Sequence, residues 1–201
     1  RATQAVIYMN QWAIVSGDEN YYDYILANYV LGGGGFSSRL MNSVRANGGM
    51  AYHISSGCNI HSNYGVLSIF TATRNAKLYD AYKMIKAEME KFSDKGVSED
   101  ELQKAKDYVT GSIPLQLESP GQIANKILIA IMQGFTVEDL SNEVINYNNV
   151  QAGVVDDVVK KYMQTKKLNV VIVCDVKKVK SQLQRLGEYE QVNYKDLPCN
   201  K

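Results

Sequence analysis

The segment LGGGGFSSRLMNSVRANGGMAYHISS, Leu31 to Ser56, carries the most specific pattern in this 201-residue chain. Its four consecutive glycines follow an apolar helical stretch. Ser37 or Ser38 is placed to cap a second short helix, and Gly48-Gly49 is placed to end it. A strand-like run begins at Ala51. The segment therefore predicts a helix, a glycine-rich connection, a short helix and a strand, in that order.

Outside this segment, strand and helix signals are separated along the chain. Residues 4–15 predict a strand, and residues 51–60 and 66–73 predict a hairpin. Several amphipathic helices follow. The apolar run Leu168 to Cys174 predicts a fully buried strand near the end. Strands grouped apart from helices indicate an α+β fold, with a mainly antiparallel sheet and helices packed on one face.

Composition and charge give no support for several classes of protein. The net charge of +1 provides no electrostatic argument for nucleic acid or an anionic membrane. No apolar stretch approaches the ~20 residues of a membrane span. Cys58, Cys174 and Cys199 form no CxxC pair, and nothing indicates a compartment. The length fits a single domain over residues 1–201. Since the chain opens at Arg1 almost directly in a strand, we expect a fragment of, or a partner to, a larger protein.

The glycine run Gly32, Gly33, Gly34 and Gly35 admits two interpretations. A phosphate-binding loop needs a lysine and a hydroxyl after the last glycine, and a dinucleotide fingerprint needs a strand before the first. This chain has Phe36 after the run and a helix before it, which argues against a nucleotide. The run is either a flexible connection with positive φ angles or a functional segment that needs close backbone approach or mobility.

The chain has two histidines, His53 and His61, and no His-x-x-Glu-His motif or its inverse. Their spacing from Cys58 fits no common structural zinc motif. Strand alternation also places His53 and Cys58 on opposite faces. We therefore expect no metal or other cofactor bound by this chain alone.

Arg45 and Tyr52 flank the Gly48-Gly49 stop, where the chain folds back. Both side chains can then face one cleft. An arginine supplies a planar fork of donors, and a tyrosine hydroxyl can donate to a developing oxyanion. The alternative is a helix-end arginine that meets the last carbonyls, and a core tyrosine.

The Leu31 to Ser56 segment closely resembles a family pattern in which Leu-Gly-Gly leads to Ser-Arg-Leu, then Arg, then Gly-Leu-Ala-Tyr. The pattern belongs to the second domain of the two-domain unit in insulinase-like (M16) zinc peptidases and mitochondrial processing peptidases. The family's spacing of seven residues between this arginine and the tyrosine is the same here, at Arg45 and Tyr52. The ending LNVVIVCDVKKVKSQLQRLG is similar to the family's closing strand and short helix, so the resemblance spans nearly the whole chain.

The resemblance implies an α+β half-shell that encloses peptide together with a zinc-bearing half. Zinc is then expected on that partner domain, in the same chain or on another subunit. Arg45 would bind substrate carbonyls, and Tyr52 would orient the peptide and support the tetrahedral intermediate. Gly32 to Gly35 resemble the glycine-rich loop that engages substrate in processing-peptidase partners. The chain alone is then expected to be inactive.

Two departures and two rival hypotheses accompany this resemblance. Asn47 stands where many relatives have a basic residue, and the loss of this charge at the cleft edge affects details of substrate preference. Met50 stands where many have leucine, which is a mild apolar exchange. One rival is a catalytically inactive M16-like structural or assembly subunit. The other is a stand-alone peptide-binding module. A half-shell exposes an apolar face to its missing partner, so a homo-oligomer is also expected.

Overall fold

A four-stranded antiparallel sheet lies at the centre of the structure. The computed structural model describes residues 3–196, apart from the side chains of residues 46, 47 and 194, so Cys199 and the Asn47 side chain lie outside it. The strands are β1 (Gln4–Trp12), β2 (Ala51–Ile60), β3 (Gly65–Arg74) and β4 (Asn169–Val173). Their order is β2-β3-β1-β4, and every neighbouring pair is antiparallel. β2 and β4 therefore form the two edges.

Helices fill most of the remaining chain. The α-helices are α1 (Tyr21–Asn28), α2 (Leu78–Lys95), α3 (Glu99–Ser112), α4 (Pro120–Gln133), α5 (Val137–Asn149), α6 (Ala152–Tyr162) and α7 (Val176–Gln184). Two π-helical segments, Tyr29–Gly33 and Met41–Asn47, lie between α1 and β2. Over residues 3–196, no helix has the length and apolarity needed to cross a bilayer.

In the described part of the chain, helices cover only one face of the sheet. Along β1, Ala5, Ile7 and Met9 are fully buried, whereas Tyr8 and Trp12 are exposed on the other face. The fully buried side chains of the covering helices include Leu26, Phe92 and Val155. Each large apolar side chain buried in this way contributes about 1.5–3 kcal/mol of transfer free energy. The predicted α+β fold, with an antiparallel sheet and helices on one face, is confirmed.

The expectation of a fully buried strand at Leu168 to Cys174 is wrong. β4 lies at the sheet edge, and Val171 and Val173 are 55% and 58% exposed. Among the described residues β4 pairs only with β1, so its other edge is open. A continuous apolar run indicates a strand, but it does not show whether other elements cover both of its faces.

Arg39, in the Ser-Arg-Leu triplet, connects the segment before β2 to the helical layer. Its Nε and Nη2 atoms donate to the two carboxylate oxygens of Glu101 at 2.7 and 2.6 Å. Nη2 also donates to the Gly96 carbonyl at 2.8 Å, and the guanidinium lies 4.9 Å from the Phe92 ring centroid. Glu101 itself closes a capping box with Ser98 at the start of α3. These bonds fix the second short helix against the α2–α3 corner.

Candidate functional site

The glycine run is mostly helical rather than a free connection. α1 continues directly into the π-helical turn Tyr29–Gly33, which includes the first two glycines. Gly32 is buried, and a Cβ atom there would lie 2.5 Å from the backbone nitrogen of Ser56. The close approach at Gly32 is to β2 of the same chain, so buried Gly32 has a packing role and is not open to a peptide. Gly33, Gly34 and Gly35 are more accessible, and Gly35 has a φ of 56°.

The turn after the glycines is held by two serines that bond backwards along the chain. The Ser37 hydroxyl donates to the Gly34 carbonyl at 2.8 Å, and the Ser38 hydroxyl donates to the Gly35 carbonyl at 2.7 Å. The expected side-chain cap of the next helix is therefore wrong, and no side chain caps the segment Met41–Asn47. The turn places Phe36 on the surface, where its side chain is 75% exposed.

Arg45 and Tyr52 lie side by side, as the spacing predicted. The Arg45 guanidinium carbon lies 5.3 Å from the centroid of the Tyr52 ring and 4.8 Å from that of Phe36. Arg45 is half-buried, and the Tyr52 ring is 85% exposed. The alternative of a core tyrosine is therefore wrong. Sequence reasoning missed Phe36, although an aromatic residue between glycines and serines is a usable signal for an exposed contact.

Arg45 is not needed to complete the end of its helix. The Gly49 amide donates to the Arg45 carbonyl, and the Met50 amide donates to the Val44 carbonyl, both at 3.0 Å. Within residues 3–196 no carboxylate pairs with the Arg45 side chain. Its donors are therefore available to a ligand, while the two neighbouring rings hold the guanidinium plane through cation–π attraction.

A β-bulge brings Tyr52 to the surface. Ala51 pairs with Thr73, and His53 pairs with Ala72, so Tyr52 is an extra residue in β2. Without the bulge, alternation would place Tyr52 on the same buried face as Ile54. Both Tyr52 and His53 are instead exposed. The bulge therefore changes the direction of Tyr52, one of the side chains that the sequence singled out.

Two buried threonines of β3 donate hydrogen bonds to backbone carbonyls on either side of the bulge. The Thr71 hydroxyl donates to the His53 carbonyl at 2.8 Å, and the Thr73 hydroxyl donates to the Met50 carbonyl at 2.5 Å. Thr71 and Thr73 are 0% and 2% exposed. A hydrogen bond of this kind contributes about 0.5–1.5 kcal/mol net, so the two hydroxyls stabilise the bulged conformation.

His53, Cys58 and His61, in and just after β2, do not converge. His53 is exposed beside the bulge, whereas Cys58 lies on the helix-facing side, where burial raises its thiol pKa to about 12. The two therefore lie on opposite faces, as alternation predicted. His61 stacks on Tyr64, with ring centroids 4.5 Å apart. Across the described residues, no group of three or more His, Cys, Asp or Glu side chains could hold a metal ion, so no chemical step of this chain is assigned to zinc.

Two cavities in the described part of the chain have a bearing on function. One, of about 260 Å³, lies beside Tyr52. Its lining residues are Gln4, Gly49, Met50, Ala51, Tyr52, Ala72, Thr73 and Arg74. The other, of about 370 Å³, lies beside α4 and α5 and contains the Lys126–Glu143 ion pair, which is 2.7 Å long. Only the first cavity adjoins the Arg45–Tyr52 pair.

Comparisons with known proteins identify the family. The pattern of the Peptidase M16 inactive domain matches residues 3–109. The chain is 28% identical over 127 residues to an uncharacterized zinc protease of Streptomyces coelicolor, covering 63% of this chain and 28% of that protein. It is 35% identical over 103 residues to an uncharacterized zinc protease of Bacillus subtilis, covering 51% of this chain and 25% of that protein. A non-peptidase homolog in Helicobacter pylori is 26% identical over 152 residues, covering 74% and 34%.

The relatives are much longer than the stretches that match. The aligned parts span only about a quarter to a third of those three proteins. Among solved structures, the crystal structure of a peptidase M16 inactive domain from Pseudomonas fluorescens has a TM-score of 0.78 at 24% identity. That match covers 85% of this chain and 41% of the other, and it supports the fold alone. Because the family pattern spans more than half of the 201 residues, this chain belongs to the M16 peptidase family, as an inactive domain of the kind found in larger zinc-protease-like proteins.

Proposed function

We propose that this chain is the substrate-binding and transition-state-supporting domain of an M16-type zinc endopeptidase. In this account Arg45 and Tyr52 contact the peptide, together with the accessible glycines Gly33 to Gly35. The zinc-bearing half, on the same chain or on a partner subunit, supplies the activated water that cleaves the peptide bond. Since the described residues include no cluster of three or more potential metal ligands, we propose that the chain needs this half for activity.

The observation that carries this proposal is the exposure of Tyr52 next to Arg45, which has no carboxylate partner among the described residues. A ring that is 85% exposed contributes little burial free energy, so stability does not explain its presence. The bulge and two buried threonine hydroxyls nevertheless keep the ring on this surface. Backbone irregularities of this kind are over-represented next to active sites, where they change the direction of a side chain.

Arg45 is suited to hold a peptide backbone. Its guanidinium presents several N–H donors in one plane, and peptide carbonyls are acceptors that match them. The rings of Phe36 and Tyr52 lie 4.8 and 5.3 Å from the guanidinium carbon and restrict the side chain before a ligand arrives. Restricting the donor in advance lowers the entropy lost on binding.

Tyr52 is suited to act on the reacting carbonyl. Its hydroxyl can donate a hydrogen bond to the oxygen that gains negative charge in the tetrahedral intermediate. The neighbouring Arg45 cation makes the local potential more favourable to that charge. We therefore assign Tyr52 to support of the intermediate and Arg45 to peptide binding.

The substitution Tyr52→Phe tests this assignment, because it removes the hydroxyl and keeps the ring beside Arg45. In the full-length protein or complex that carries the zinc half, kcat should fall by about 10²–10³ with a smaller change in KM. Tyr64→Phe is the matched control, since Tyr64 lies at the other end of the same hairpin. Wild-type kcat in the Tyr52→Phe variant would contradict the role of the hydroxyl.

A catalytically inactive structural or assembly subunit is the second candidate. The observation in its favour is the Helicobacter pylori relative, whose name describes a non-peptidase homolog. The two candidates differ in one measurable property, because a purely structural subunit has no need for peptide affinity at Arg45 and Tyr52. The absence of peptide cleavage by the complete protein, with its zinc half present, would favour this second candidate.

A further inference from the structure

The cavity beside Tyr52 contains a second arginine that the proposed function does not use. Arg74 ends β3, pairs with Gln4 of β1 and is exposed. Its side chain lines the cavity of about 260 Å³, whose wall also includes Met50 and Ala72. Pockets for drug-sized ligands measure about 300–1,000 Å³. This cavity is smaller and can hold a single amino-acid side chain.

The charges around this cavity have one sign. Arg74 is the only charged residue among the described residues that line it. Within residues 3–196 no carboxylate forms an ion pair with Arg74. Arg45 adds a second positive charge on the same surface, since its guanidinium carbon lies 5.3 Å from the ring of Tyr52, which also lines the cavity. Nearby cations that lack acidic partners favour an anionic ligand.

We propose that this cavity is a subsite for an acidic side chain, glutamate in particular, of the bound peptide. The Arg74 guanidinium donates to the carboxylate, and the apolar surface of Met50 and Ala72 contacts the methylene groups that precede it. This inference rests on the proposed function, because the peptide must first lie along Tyr52. It specifies the substrate class as peptides that carry an acid next to the segment held by Arg45 and Tyr52.

Equilibrium binding to the complete protein tests the subsite. Zinc is removed with a chelator to prevent cleavage. The labelled peptides share one neutral sequence, in which a single Glu, Gln or Lys is placed at each position in turn, and binding is measured by fluorescence anisotropy. At one position we expect Glu to bind about 3–10-fold more tightly than Gln, with Lys weakest. The preference should decrease as the salt concentration rises.

Substitution of Arg74 assigns the preference to this residue. Arg74→Gln should abolish the difference between Glu and Gln, and Arg74→Glu should favour Lys at the same position. Arg185→Gln is the matched control, because it removes an equal charge at the end of α7, where Arg185 lies over Tyr79. A Glu preference that persists in Arg74→Gln, or equal affinity for all three peptides, would overturn the subsite and leave the assignment of Tyr52 standing. If the wild-type protein bound none of the peptides, both the subsite and the proposed peptide-binding function would be contradicted.

Discussion

At the scale of single residues, Tyr52 depends on one insertion in β2. The bulge makes Tyr52 the unpaired residue between the Ala51–Thr73 and His53–Ala72 pairs. Thr71 and Thr73 continue the buried row of β3 that Leu67 and Ile69 occupy earlier in the strand. Their hydroxyls donate to the His53 and Met50 carbonyls on either side of the bulge. Threonine at these two positions therefore supports the backbone that exposes Tyr52.

Glu101 provides a prediction about pH at the same scale. Hydrogen bonds from the Arg39 guanidinium lower the pKa of this carboxyl from 4.5 to about 2. A pKa lowered by folding stabilises the folded state above the ordinary value, and this contribution is lost as pH falls from about 4.5 towards 2. Allowing for the solvent that reaches the pair, we expect about 1–2 kcal/mol. Urea unfolding at a series of pH values measures the loss.

The substitution Glu101→Gln isolates this contribution. The variant should be less stable than wild type at neutral pH, and the difference should shrink as pH approaches 2. Glu99→Gln is the charge-matched control in the same helical turn, where the side chain is exposed. A stability difference for Glu101→Gln that stays constant with pH would show that the Arg39 pair does not provide the pH dependence.

At the scale of elements, the contact between the glycine run and β2 fixes the spacing of the whole site. A methyl group at Gly32 would meet the backbone of Ser56, which cannot move without displacing β2. We expect Gly32→Ala to lower the free energy of unfolding by about 1–3 kcal/mol, as overpacking of a core does. The urea midpoint should fall with an unchanged m-value.

Gly57→Ala is the control for that substitution. Gly57 lies in β2 one residue after Ser56, and an added Cβ there has no atom within 4 Å. Alanine should therefore leave stability unchanged or raise it slightly, since it reduces the freedom of the unfolded chain. If the two alanine variants had equal stability, the close contact at Gly32 would not be the constraint described here.

The sequence predicted the elements of this site better than their surroundings. The hairpin of β2 and β3 followed from two runs of strand-forming residues around a polar turn, and its bounds are nearly those expected. The bulge could not be predicted, because it depends on which residues of β3 face the start of β2. The exposure of β4 was also missed, because burial of Val171 and Val173 depends on which elements cover an edge strand. Local patterns specify elements, and pairing decides which side chains are exposed.

At the scale of the whole molecule, exposed apolar residues occupy more than one surface. Tyr8, Trp12 and Val171 lie on the uncovered face of the sheet, and Leu128 and Met132 lie exposed on α4. Apolar patches of this kind mark interaction surfaces. The matched relatives extend well beyond the stretch that aligns with this chain. Both facts support the proposal that the domain works together with a zinc-bearing half.

The central claim is that peptide lies against the surface formed by Phe36, Arg45 and Tyr52. The most direct measurement is photocrosslinking in the complete protein, with a photoreactive amino acid in place of Tyr52 and, separately, in place of Tyr64. With a labelled substrate peptide, the account predicts strong crosslinking from position 52, competed by unlabelled peptide, and little from position 64. Equal yields from the two positions, or none from position 52 while the protein still cleaves the peptide, would contradict it.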